Sequence, residues 1–205
     1  MGEPAGEPPR PLVVALTGAS GSRYALRLLE VLSRSGRSVH LTLSPSAAQV
    51  LREETDLDVS VKNPDPAAFG AFAPGRLVVH HHADFSAGIA SGSFRTGGMV
   101  IVPCSMSTLA AIAHGITTNL ITRAADVHLK ERRRLILVPR ETPLSLVHLE
   151  NMTAVTRAGA VVLPAMPGWY HRPRTLDDLV DFVVARICDA LDVEHDLAKR
   201  WGETE

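Results

Sequence analysis

The stretch Leu12-Val13-Val14-Ala15-Leu16-Thr17-Gly18-Ala19-Ser20-Gly21 decides the fold. Its apolar run shows no period-two alternation, ends in a turn with two glycines, and is followed by Ala25, Leu28, Leu29 and Leu32 at helical spacing. That order predicts a strand buried on both faces, a tight turn and an amphipathic helix. The unit then recurs. Val39–Leu43 reads as a second strand, and Ser44-Pro45 reads as N-cap and first residue of a helix running to about Thr55. Further strands are predicted at Leu77–His80, Met99–Val102, Leu135–Val138 and Ala160–Leu163. Helices are predicted near Leu109–Ala113, over Asn119–Glu131 and Leu146–Arg157, and from about Leu176 to Leu191 behind a Thr175/Asp178 capping box. Short apolar strands alternating with helices define a single-domain, doubly wound α/β fold of Rossmann-like or flavodoxin-like type, with a mostly parallel sheet of about six strands.

Composition agrees with one sizeable core: 205 residues, 45% hydrophobic. Residues 1–11 contain four prolines and neither a basic nor a strongly apolar segment, so they read as a flexible leader. Residues 12–192 form the α/β domain and 193–205 a C-terminal tail. The 21 Lys+Arg balance 22 Asp+Glu, which leaves no global field to attract nucleic acid. No apolar run is long enough for a membrane span, and two cysteines do not make a disulfide scaffold, so a soluble, cytoplasmic protein is expected. Asn63–Arg76, rich in Pro, Ala and Gly, reads as a surface excursion. A second long loop carries Phe85 and Ser91-Gly92-Ser93, and loops of this length in compact domains are often functional.

Ligands of open α/β sheets lie beyond the carboxyl ends of the strands. Here those ends read Thr17-Gly18-Ala19-Ser20-Gly21, then Ser44, then Pro103-Cys104-Ser105-Met106-Ser107-Thr108, then Pro139-Arg140-Glu141-Thr142-Pro143, then Pro164-Ala165-Met166-Pro167-Gly168-Trp169-Tyr170. The first turn reads equally as a plain crossover or as an anion site with free N–H groups at a helix start. It is not G-x-G-x-x-G, and Ser44 stands where a dinucleotide site carries an acid for the ribose, so NAD is disfavoured and a mononucleotide favoured. The phosphate-loop pattern G-x-x-x-x-G-K-[ST] is absent. Ser105, Ser107 and Thr108 open another helix, either as ordinary capping or as a second site for polar ligand edges.

Four features read as structural. Cys104 sits among apolar residues as an inert thiol. Gly18-Ala19-Ser20-Gly21-Ser22 is not a nucleophile elbow, because the final glycine is replaced by Ser22. His80-His81-His82 lacks partners at zinc-site spacing, so no metal is expected. Lys130-Glu131-Arg132-Arg133-Arg134 reads mainly as a solvated helix C-terminus, with one or two cations turned inward.

Taken together, six stretches resemble the flavin prenyltransferases of the UbiX type, within the wider family of flavin-containing cysteine decarboxylases. They are T-G-A-S-G at 17–21, A-A-D-V-H-L-K-E-R-R at 124–133, L-V-P-R-E-T-P at 137–143, H-L-E-N-M at 148–152, P-G-W-Y-H-R-P at 167–173 and D-L-V-D-F-V-V-A-R at 178–186. The resemblance runs from Leu12 to Trp201. It implies an enzyme that transfers a dimethylallyl group from dimethylallyl monophosphate to N5 and C6 of reduced FMN, making prenylated FMN for a UbiD-type decarboxylase. By motif, Gly18, Ala19, Ser20, Ser44, Ser105, Met106, Ser107, Thr108 and Arg140 contact FMN. Tyr170 and Arg186 hold the prenyl phosphate beside Arg123, Lys130 and Glu141, while Glu54 and Trp201 complete the pocket. Ser20, Glu54, Lys130 and Glu141 are the implied catalytic set. A homo-oligomer, commonly a dodecamer with sites between subunits, is implied as well.

The residue types suit the chemistry. Departure of an allylic phosphate leaves a delocalised cation, so cations and hydroxyls must grip the phosphate while an electron-rich ring shields the carbon. Two positions depart from the family pattern: Phe85 where many relatives carry Trp, and His114 where Thr or Ser is common. Two rival functions share the fold. An FMN-dependent cysteine decarboxylase would carry P-x-M-N after the last strand, whereas Pro164-Ala165-Met166-Pro167 stands here. A noncatalytic FMN carrier would lack Lys130, Arg140, Glu141 or Arg186, all of which are present.

Overall fold

The computed structural model describes residues 9–197. Six strands, β1 (Leu12–Leu16), β2 (Val39–Leu43), β3 (Leu77–His80), β4 (Gly98–Cys104), β5 (Leu135–Pro139) and β6 (Val161–Val162), form one parallel sheet in the order β3-β2-β1-β4-β5-β6. The helices are α1 (Ser22–Arg34), α2 (Pro45–Glu54), α3 (Met106–Ala113), α4 (Leu120–Lys130), α5 (Leu146–Arg157) and α6 (Leu176–Ala190). The doubly wound parallel fold expected from the sequence is the one observed. Its winding reverses between β1 and β4, which places the switch point there.

Side chains alternate between two cores because successive strand residues point to opposite faces. On one face Leu12, Val14 and Leu16 of β1 pack with Val100 and Val102 of β4 against α1 and α6, through Leu28, Leu29, Leu32, Val183, Val184 and Ile187. On the other, Val13, Ala15, Met99 and Ile101 pack under α3 and α4, through Leu109, Leu120, Ile121 and Ala124. Every residue of β1 and β4 is buried, so truncating one of these large aliphatic side chains to Ala should cost about 2–5 kcal/mol.

Local signals account for most helix ends. Ser44 accepts from Ala47 N–H with Pro45 in the first turn, Ser105 caps α3, and Asn119, Ser145 and Thr175 each close a capping box. Gly21, at φ 117°, starts α1 in a conformation that L side chains rarely adopt. The Asn63–Arg76 excursion is better anchored than its composition suggested. Pro66–Phe69 makes a turn of 3₁₀ helix that buries Phe69 against the α1 side of the core. The expected leader divides: residues 1–8 lie outside the described region, and Pro11 is already tied in, its carbonyl accepting from Gly97 N–H at 2.9 Å. At the other end Val193 is buried and Leu197 packs against the α1/α6 core, so packing continues past 192 to the end of the described residues.

Candidate active site at the switch point

The carboxyl ends of β1 and β4 are stitched together by Thr17. Its hydroxyl donates to the Pro103 carbonyl (2.9 Å) and accepts the Ser105 N–H (2.7 Å), so the first turn and the start of α3 form one rigid ledge. Sequence reading gave Thr17 no role, because both partners lie more than 80 residues away. Gly18 is exposed on this ledge with no room for a side chain, since a Cβ there would stand 2.6 Å from the Cβ of Ser46. Ser46 belongs to a hydroxyl pair with Ser44 (3.0 Å). Both belong to Ser-Pro-Ser at 44–46, where helix-start chemistry points to Ser44 and leaves Ser46 unmarked. Ser105 contacts the hydroxyls of Ser107 (3.1 Å) and Thr108 (3.0 Å) while capping α3. Ala19 and Met106 are buried beneath, and the Arg140 Nε donates to the Ser20 carbonyl at 3.4 Å. Glu141 follows on the same strand end and accepts the Thr142 N–H.

The start of α1 is not an open anion site. Glu54, at the end of α2, accepts the Ser22 N–H at 2.7 Å and the Gly21 N–H at 3.0 Å on one oxygen and 3.1 Å on the other. Burial pushes its pKa up, but hydrogen bonds from Ser20, Ser22 and Gly21 outweigh this and hold the carboxyl below its usual value. A resident carboxylate therefore uses the helix-end donors that the glycine turn, by its sequence, would offer to a ligand. The open surface of the ledge is the Gly18–Ser20 backbone, the Ser44/Ser46 pair and the hydroxyl-lined start of α3.

The remaining implied residues divide by place. Tyr170 packs edge-on against Phe182 of α6 (5.7 Å between centroids), one helical turn before Arg186. Arg186 pairs with Asp189 at 3.2 Å and lines a cleft of about 490 Å³ beside β6 with Met166 and Phe182. Arg123, in the first half of α4, donates to the Ala90 carbonyl (3.0 Å) and Asp126 (2.9 Å). Lys130 is not gathered with the ledge. It ends α4, four residues before Arg134, whose carbonyl accepts Met99 N–H at the amino end of the sheet. Five strand residues, roughly 16 Å, separate the two edges. Trp201 lies outside the described residues.

Cys104 is fully buried and its thiol is pushed up to about 12 by burial, which fits an inert core residue. His80 faces His40 with 2.8 Å between ring nitrogens, and His114 reaches Asn151 Oδ1 at 3.1 Å. Phe85 is half exposed in the loop after β3. Among the described residues no three His, Cys, Asp or Glu side chains gather as a metal-binding group, and no helix is long and apolar enough to cross a membrane.

A switch point lined by hydroxyls, with Ser44 and not an acid at the end of β2, suits a mononucleotide bound to an α/β fold. The Flavoprotein family profile matches residues 3–188. Similarity extends over whole chains. The flavin prenyltransferase UbiX of Alkalihalophilus pseudofirmus is 50% identical over 94% of this chain and 96% of its own, and that of Pseudomonas aeruginosa is 50% identical over 95% of each. Among solved structures, AnUbiX in complex with FMN and dimethylallyl pyrophosphate superposes with a TM-score of 0.86 at 45% identity, covering 96% of this chain and 100% of that one. A dodecameric FMN-dependent UbiX-like decarboxylase from Escherichia coli O157:H7 gives 0.83 at 44% identity, covering 94% and 99%. The chain belongs to the UbiX-type flavin prenyltransferases of the Flavoprotein family.

Proposed function

We propose that this chain transfers a dimethylallyl group from an allylic monophosphate to reduced FMN, producing prenylated FMN for a UbiD-type decarboxylase. The observation that carries this reading is the rigid Thr17–Ser105 ledge, whose exposed Gly18 and hydroxyl-bearing strand ends suit a flavin mononucleotide and lack the acid a dinucleotide needs. Reduced FMN supplies the electron-rich ring and the nucleophilic nitrogen. The Gly18–Ser20 backbone, Ser44, Ser105, Met106, Ser107, Thr108 and Arg140 hold it. Tyr170 and Arg186 receive the phosphate with charge-assisted hydrogen bonds. As the allylic carbon–oxygen bond breaks, the phosphate leaves with the electron pair, a carbon–N5 bond forms and N5 gives up its proton; a proton then adds to the remaining double bond, and bonding of the resulting cation to C6 releases the C6 proton. Glu141 on the β5 end is the acceptor for that proton, and Glu54 fixes Ser20 beside the flavin.

Lys130 and Arg123 complete the phosphate site of another copy, since Lys130 lies at the opposite sheet edge of its own chain. Leu146, Val147 and Leu149 of α5, with Met166 and Trp169, are exposed and provide apolar surface for such a homo-oligomer, for which we take a dodecamer. The working location is the cytoplasm. AnUbiX holds the pyrophosphate of the same alcohol, so the donor test compares both esters.

Incubation with reduced FMN and dimethylallyl monophosphate, followed by mass spectrometry of the released flavin, should show the net addition of five carbons and eight hydrogens. EDTA should leave the yield unchanged, because a monophosphate can be held by the Tyr170 hydroxyl and the Arg186 guanidinium without a divalent ion to neutralise it. An unmodified flavin, or conversion with the pyrophosphate alone and only with Mg²⁺, would refute the assignment.

A further inference from the structure

Lys130 is exposed at the end of a helix, where an amine on four methylenes would ordinarily sample many positions. Here its surroundings restrict it. The ammonium pairs with Glu131, and the other Glu131 oxygen lies 4.0 Å from the Arg133 guanidinium. Arg133 is the least exposed of the three at 17%, because its guanidinium donates to the carbonyl of Phe94 (2.6 Å) and to that of Gly92. Gly92 in turn lies directly against the ion pair. A Cβ built there would meet Lys130 Nζ at 2.9 Å and the Glu131 carboxyl carbon at the same distance. One residue pair further along, His128 holds the same loop through Thr96.

We propose that Gly92 and Arg133 are positioning residues that fix the Lys130 ammonium: Arg133 anchors the Ser91–Phe94 turn and orients Glu131, and Gly92 leaves the space in which the ion pair sits. The atoms an alanine at 92 would displace are the tips of flexible side chains, so the fold survives and the ammonium moves. The consequence for catalysis rests on the role proposed above for Lys130 at the donor phosphate; the positioning does not.

The chain contains three lysines, Lys62, Lys130 and Lys199, which makes pulse acetylation with peptide mass spectrometry a clean probe, with exposed Lys62 as internal standard. The Lys130 to Lys62 labelling ratio should rise at least threefold in Gly92→Ala and in Arg133→Ala, and return towards wild type in Arg133→Lys, at unchanged far-ultraviolet circular dichroism. An unchanged ratio in Gly92→Ala would overturn the proposal. In parallel, KM for dimethylallyl monophosphate should rise about tenfold in Gly92→Ala with FMN affinity unaltered. A raised labelling ratio with an unaltered KM keeps the positioning and removes Lys130 from the donor site.

Discussion

Acidification should weaken this protein through one buried histidine. His128 of α4 is fully buried. Its Nδ1 must carry the hydrogen, because it lies 2.7 Å from the Ala124 carbonyl, which only accepts; Nε2 is then the acceptor of the Thr96 hydroxyl at 2.8 Å. Burial first, and the nearby Arg133 charge second, lower its pKa from 6.5 to about 4, against the raising effect of the backbone carbonyls. The unfolded chain thus takes up a proton at higher pH than the folded one. The contribution is fully present above about pH 6.5 and is lost as pH falls from there towards 4. At 1.36 kcal/mol per unit, the full loss approaches about 3 kcal/mol, and about 2 kcal/mol of it has gone by pH 5. Comparing urea unfolding of wild type and His128→Gln at pH 7.5 and pH 5, at one protomer concentration, isolates this term from other groups such as His40, also lowered to about 4. Wild type should lose about 2 kcal/mol more than the variant. Identical pH dependence in both would refute the assigned burial and tautomer.

Glu54→Ala leaves the Gly21 and Ser22 N–H groups without their carboxylate at a half-buried helix start, and should cost about 2 kcal/mol, read as a fall in melting temperature of several degrees. Because the Glu54 pKa is lowered in the fold, the difference from wild type should shrink as pH drops below the ordinary carboxyl range. Arg186→Ala should raise KM for the allylic phosphate at least tenfold while FMN titration is unaltered; equal donor affinity would remove Arg186 from the phosphate site. Leu149→Asp places a charge on the exposed face of α5, and light scattering should show a smaller particle than wild type, with FMN binding retained but turnover lost.

Legibility in the sequence followed the range of the interactions. The bounds of β2 and β3 are legible from the sequence, because short apolar runs between turn residues carry their own ends. β6 shrank from the expected Ala160–Leu163 to two residues, since an edge strand with one neighbour is defined by pairing as much as by composition. α3 begins at Met106 behind the Ser105 cap, as the hydroxyl-rich stretch Ser105–Thr108 announces, ahead of its apolar run at Leu109. Strand-end residues could be gathered without coordinates, as a parallel sheet brings all its carboxyl ends to one edge. Glu54 over the start of α1, and Thr17 between β1 and β4, depend on packing of distant segments, and no local pattern announces them.

Lys130 shows the opposite case, in which a family motif names a residue and the chain trace separates it from its companions. A helix that follows a parallel strand must run back to the amino edge before the next strand begins, so a residue at its end is set apart from strand-end chemistry in the same copy. Arg123, two turns earlier, is spent on Ala90 and Asp126 beside the long loop. In the proposed reading, the flavin-holding ledge and the Lys130 cation are carried at opposite edges of one protomer's sheet, and the exposed apolar side chains of α5 offer surface for bringing copies together. On that proposal, donor binding would depend on assembly in a way that flavin binding would not. Under the same proposal the local seat that Gly92, Glu131 and Arg133 make for the Lys130 ammonium has a purpose: a cation offered to a neighbouring copy would not be held by its own active site, so its position would have to be set within its own chain.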